Sequence, residues 1–99
     1  MKNPIEELNK VFDNQLRLGI MSSLVVNEAM SFNELKELLQ TTDGNLATHL
    51  KKLEENNYIR VNKSFQNKKP LTTHTITKTG VAAFKQHINA LEKMIKKMK

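Results

Sequence analysis

The stretch Thr42-Asp43-Gly44-Asn45-Leu46-Ala47-Thr48-His49-Leu50-Lys51-Lys52-Leu53 constrains this chain more tightly than any other. Leu46, Leu50 and Leu53 recur at i, i+4 and i+7, so a helix gathers them into one stripe that must be buried. A short side-chain oxygen at Thr42 or Asp43 can accept from an orphan N–H of the first turn and so fix the helix start. The opposite side then carries Gly44, Thr48 and Lys51, flanked by Asn45 and Lys52. That side holds small, polar and cationic groups and no large apolar one. It is either the solvated face of an ordinary amphipathic helix or a surface fitted to a nucleic-acid groove. In a groove, Asn and Thr can read base edges while Lys meets phosphates or guanine.

The residues before this stretch predict a partner helix. Ser31 and Glu34 form a capping-box pair ahead of Leu35, Leu38 and Leu39, which are expected to face inward. Gln40-Thr41-Thr42 leaves only a tight turn between the two helices, the spacing of a helix-turn-helix unit. Met30 to Phe32 can donate a short edge strand. Further upstream, Asn3-Pro4-Ile5-Glu6 reads as a helix start, with Asn as cap and Pro at the first helical position. A helix is predicted over residues 1–13, with Ile5, Leu8, Val11 and Phe12 along one side. A second follows over about 14–27, with Leu16, Ile20, Met21, Leu24 and Val25 as its stripe. Gly19 costs about 1 kcal/mol in a helix interior relative to Ala, which suggests close packing there. Arg17 lies off that stripe, where it is either a surface arginine or a phosphate contact.

Downstream, Asn57 is a residue tolerant of the left-handed turn that closes a helix. Ile59, Val61 and Phe65 alternate with Arg60, Asn62 and Ser64, the pattern of a half-buried strand. Residues 66–70 read as a polar turn, and Leu71 to Thr77, rich in β-branched residues, as the returning strand. The tip of this hairpin, Asn67-Lys68-Lys69, can lie along a phosphate backbone or serve only as a soluble loop guarded against edge pairing. The last helix begins near Thr77-Lys78-Thr79-Gly80. Val81, Phe84, Ile88, Leu91, Ile95 and Met98 are spaced 3, 4, 3, 4, 3, a heptad seam. Ile5, Leu8, Phe84, Ile88, Leu91, Ile95 and Met98 are therefore the expected contact with a second copy of the chain. The alternative is that the first half of this helix covers the domain's own core. Lys93, Lys96, Lys97 and Lys99 at its end offset the helix dipole and need no ligand to explain them.

The charge is segregated. Residues 1–59 carry 6 basic and 9 acidic side chains, whereas residues 60–99 carry 10 basic and a single acid, Glu92. A net charge of +6 distributed this way points to a polyanionic partner, with nucleic acid ahead of a membrane surface. The 99 residues suit one domain with a modest core. There is no cysteine, hence no disulfide, thiolate metal site or cysteine nucleophile. No apolar run can span a bilayer and no signal peptide is recognised, so the expected location is cytoplasmic.

The order helix, helix, short strand, helix-turn-helix, hairpin, long helix resembles the winged-helix transcriptional regulators of the MarR and ArsR type. The resemblance lies in Leu16-Arg17-Leu18-Gly19-Ile20-Met21, Phe32-Asn33-Glu34-Leu35-Lys36-Glu37-Leu38-Leu39, Thr42-Asp43-Gly44-Asn45-Leu46 and His49-Leu50-Lys51-Lys52-Leu53-Glu54. Tyr58-Ile59, Lys69-Pro70-Leu71-Thr72-Thr73 and Thr77-Lys78-Thr79-Gly80 continue it. It implies a mainly α fold with a small β-hairpin: a winged helix-turn-helix with N- and C-terminal dimerisation helices. A single domain is expected over 1–99, with an N-terminal helix at 1–13, a winged-helix core at 14–77 and a C-terminal dimerisation helix at 78–99. The resemblance further implies a homodimer on a near-palindromic duplex, with Asn45, Thr48, Lys51 and Lys52 facing the groove and Lys68 and Lys69 as wing contacts; Arg17 and Gly44, from their own positions, complete the expected DNA-binding residues. Three positions depart from the pattern. Asn57 stands where Gly often precedes the strand, and His74 where an aromatic ring is common, which is expected to loosen the hairpin. Lys in the wing replaces a frequent Arg and weakens bidentate recognition.

His49, His74 and His87 are 25 and 13 residues apart, with no metal-ligand spacing. His49 is expected to pack beside the leucine stripe, ahead of reading a base, and His74 to pack at a core edge; His87 falls beside the seam of the last helix, where a metal site bridging two copies is the lesser alternative. There is no phosphate-cradling Gly loop, zincin motif or nucleophile elbow. The reading is a DNA-binding regulator, simplest as a repressor, that is not an enzyme and needs no cofactor or metal. A small-molecule effector is not specified by the sequence. The rival reading is a winged-helix protein-interaction module with no specific DNA site, and a third is a ligand or metal sensor.

Overall fold

A computed structural model describes residues 3–98. Four helices, α1 (Gln15–Val26), α2 (Phe32–Leu39), α3 (Asp43–Glu55) and α4 (Lys78–Lys96), combine with three strands, β1 (Met30–Ser31), β2 (Ile59–Gln66) and β3 (Lys69–Ile76). The sheet is antiparallel in the order β1-β3-β2, with Met30 opposite His74 and Ile59 opposite Ile76. Met1, Lys2 and Lys99 lie outside the described residues.

The N-terminal segment is not the helix predicted over 1–13. It forms two 3-10 turns, Pro4–Glu7 and Lys10–Phe12. Asparagine explains the difference. The Asn3 side chain accepts from Ile5 N–H, Asn9 from Val11 N–H and Asn14 from Arg17 N–H. Each of these local bonds competes with a continuing helix and restarts the chain in a new turn. The segment is held by Phe12, which is buried and meets Phe84 edge-on at 5.8 Å and Tyr58 at 5.3 Å between ring centroids. Phe84 therefore belongs to the chain's own core and not to a contact with a second copy. A heptad pattern cannot tell these two partners apart.

The helix-turn-helix forms as its caps predict. Ser31 and Glu34 make the capping box at α2, and Gln40, with φ 49°, closes that helix in the left-handed region. Thr42, not Asp43, caps α3, its side chain accepting from Asn45 N–H. Leu46, Leu50 and Leu53 are buried as expected. On α2 only Leu35 is fully inward and Leu39 half so; Leu38 is exposed because Phe32, Leu35 and Leu39 already define the inward direction. Val25 likewise falls outside the α1 stripe of Ile20, Met21 and Leu24. Gly19 does mark a close approach, since a Cβ there would touch Leu39 Cδ2 at 3.0 Å.

Asn57 adopts φ 61° and turns the chain from α3 into β2, as its residue type predicts. Ile59 is buried and Val61 half-buried, but Phe65 is exposed, because the hairpin outruns the helices that cover its base. The tip is tighter than the expected five-residue turn. Only Asn67 and Lys68 connect the strands, both at positive φ, and Lys69 already pairs with Gln66. His74 does not loosen the hairpin: it is buried and bonds through Nδ1 to the Met30 carbonyl at 3.2 Å, tying β3 to β1.

Candidate nucleic-acid interface

With three leucines turned inward, α3 presents Gly44, Asn45, Ala47, Thr48, Lys51 and Lys52 to solvent. Thr48 Oγ1 donates to the Gly44 carbonyl at 2.9 Å, which fixes its rotamer and keeps its methyl and oxygen on the outer face. No atom lies within 4 Å of where a Gly44 Cβ would stand, so nothing inside the chain requires glycine there. At the helix start, Asp43 is paired with Lys36 at 2.8 Å. Lys36 offsets the Asp43 charge, and the carboxylate itself suits the positive end of the α3 dipole.

Arg17 reaches this face from α1. It shares a shallow depression of about 440 Å³ with Thr48, His49, Lys51, Lys52 and Glu55. Its guanidinium is committed within the protein: Nε donates to the Val11 carbonyl, and Nη1 lies 2.9 Å from His49 Nδ1. An arginine is always a donor, so His49 accepts through Nδ1 and carries its proton on Nε2. Burial, and then the Arg17 charge, lower the His49 pKa and keep the ring neutral. The sequence puts Arg17 off its own helix's stripe and His49 beside the leucines, and cannot show that the two bond to each other, since they are 32 positions apart.

Lys68 and Lys69 are exposed on the separate hairpin, with Arg60 and Lys63 exposed along β2. The last two were not among the expected contacts, although a strand without a single acid already signals them. The expected contact with a second copy divides. Ile5, Ile88, Ile95 and Met98 are exposed, Leu8 and Leu91 are half-buried, and Phe84 is internal. Between the N-terminal segment and α4 runs an apolar groove of about 590 Å³, lined among others by Ile5, Leu8, Phe12, His87 and Leu91. His87 is buried beside it and accepts from Asn9 N–H at 3.0 Å. Among the described residues no three His, Asp or Glu side chains gather in a metal-binding group, and no helix is long and apolar enough to cross a membrane.

Residues 16–95 match the family described as winged helix DNA-binding domain. An uncharacterized protein of Methanocaldococcus jannaschii is 43% identical over 79 residues, covering 80% of this chain and 86% of that one. Among solved structures, a transcriptional regulator homologue from Pyrococcus horikoshii superimposes with a TM-score of 0.91 at 27% identity, covering 99% of both chains. The MepR protein of S. aureus, solved as a complex with DNA, superimposes with a TM-score of 0.77 over 94% of this chain and 76% of that chain; at 15% identity the likeness is one of fold.

Proposed function

The chain belongs to the winged helix DNA-binding domain family, and from that premise we propose that it is a sequence-specific regulator of transcription acting as a homodimer on a near-palindromic operator. The observation that carries the reading is the outward face of α3, where Gly44, Asn45, Thr48, Lys51 and Lys52 stand exposed above a fully buried leucine stripe. Asn45 and Thr48 are suited to base edges, and Lys51 and Lys52 to phosphates or guanine. Gly44 lets the duplex backbone approach the helix start closely. Arg17 sits beside these residues and orients α3 through His49. Lys68 and Lys69 supply wing contacts to phosphate. Ile5, Leu8, Ile88, Leu91, Ile95 and Met98 form the contact between copies, with Phe84 beneath it. In the cytoplasm, repression by covering a promoter is the simplest mode of action for such a contact.

Gel-shift titration against random duplexes at two salt concentrations tests the reading. Saturable binding that weakens steeply with salt is expected, because phosphate contacts release counterions. Lys52→Ala is expected to lower affinity and reduce the salt slope by about one while leaving the melting temperature unchanged. Absence of saturable duplex binding by the wild-type protein would favour a protein-docking role for the same face.

A further inference from the structure

Phe65 has no partner that explains it. The ring is 78% exposed, although phenylalanine is among the residue types most often buried. It pairs across the hairpin with Pro70 and shares a face with Lys63 and Thr72, beyond the point where the helices cover the sheet. The turn beside it is as short as a hairpin allows, with Asn67 and Lys68 both left-handed, a geometry that matches strand twist and holds the tip in one shape. Exposed cations lie near it, Lys63 on the same face and Lys68 and Lys69 at the tip. No acidic residue occurs between Ile59 and Thr77.

A rigid, cationic ribbon with one bare aromatic ring complements a polyanion that has a stackable apolar interior. We propose that Phe65 is a wedge that enters the minor groove beside the half-site read by α3 and presses between two base pairs, while Lys68 and Lys69 hold the flanking phosphates. The minor groove, about 6 Å wide, admits such a side chain although not the ribbon. Apolar side chains inserted this way unstack a step and bend the duplex toward the major groove. Pyrimidine–purine steps yield most readily, so the wedge adds a preference for deformable sequence at positions that α3 never touches. This inference rests on the DNA-binding reading above.

The probe is the duplex that the wild-type protein selects from a random pool, end-labelled for energy transfer and carrying a fluorescent adenine analogue at the flanking steps. Wild-type protein is expected to bend it and to brighten the analogue by unstacking. Phe65→Ala should bind about ten-fold more weakly and leave the duplex straight, with salt slope and thermal unfolding unchanged. Phe65→Leu, still apolar, should keep most of the bend. Lys68→Ala should do the reverse, lowering the salt slope by about one while the bend survives. Wild-type binding and bending that persist in Phe65→Ala would remove the wedge and leave the DNA reading standing. A wild-type protein that saturates no duplex, whether or not Phe65 then proves to matter on anionic vesicles, would remove both.

Discussion

Gly80 illustrates how much one hydrogen atom decides. A Cβ at this position would collide with the Tyr58 backbone carbonyl, which itself accepts from Thr77 N–H at 3.0 Å. Thr77 caps α4 by accepting from Gly80 N–H at 2.9 Å and donates to the Asn57 carbonyl at 2.6 Å. The start of α4 is thus seated on the α3–β2 turn with no room between them, and a backbone carbonyl cannot swing aside as a flexible side chain would. Gly80→Ala is expected to cost about 1–3 kcal/mol through overpacking, against the gain in helix propensity that alanine usually brings. Urea unfolding midpoints of the two proteins check this; an alanine variant as stable as the parent would show that the contact relaxes freely. The Thr-Lys-Thr-Gly sequence announced the start of a helix. It could not announce the carbonyl above the glycine, because that neighbour lies 22 positions earlier in the chain.

Each histidine joins two elements. His49 links α3 to α1, His74 links β3 to β1, and His87 links α4 to the N-terminal segment. Burial is the largest cause lowering all three pKa values, and it outweighs the Met30 carbonyl and Glu54 beside His74 and Asp13 beside His87. Since the folded pKa values lie below the ordinary value near 6.5, the unfolded chain binds more protons as pH falls. Their stabilising contribution is present above about pH 6.5 and is lost as pH falls from there through the folded values. Unfolding midpoints measured between neutral and mildly acid pH should therefore decline; a flat profile across that window would contradict neutral buried rings. The sequence placed His49 and His74 at the edge of the core and His87 beside the seam of the last helix, but named none of their partners. The winged helix itself was legible, because caps and leucine spacing act locally: Thr42, the Ser31–Glu34 box, Asn57 and the α3 stripe all fall where expected. The N-terminal segment was not, because its apolar spacing suits a helix while Asn9 and Asn14 interrupt the backbone. Leu38, Val25 and Phe65 were read inward from periodicity alone, which cannot say how far the covering element extends.

The whole chain is elongated, about 56 × 25 × 21 Å, with a radius of gyration of 15.1 Å. A compact chain of this length would be close to 13 Å. A hairpin that outruns the core and a long last helix account for the excess. Along that helix Ile88, Ile95 and Met98 remain exposed, with Ile5 exposed on the N-terminal segment. If these residues form the proposed contact between copies, replacing Ile88 and Ile95 together by lysine should give a folded monomer in sedimentation equilibrium and weaken DNA binding. A variant that stays dimeric would place the contact elsewhere. Arg17 ties this scale back to the smallest one. Its guanidinium grips the Val11 carbonyl on the N-terminal segment and His49 on α3 at the same moment, so neither can rotate without dragging the other. A single planar side chain thus bridges the stretch that leads into α1 and the helix that carries the cationic face, and Arg17→Ala would leave the two joined by packing alone.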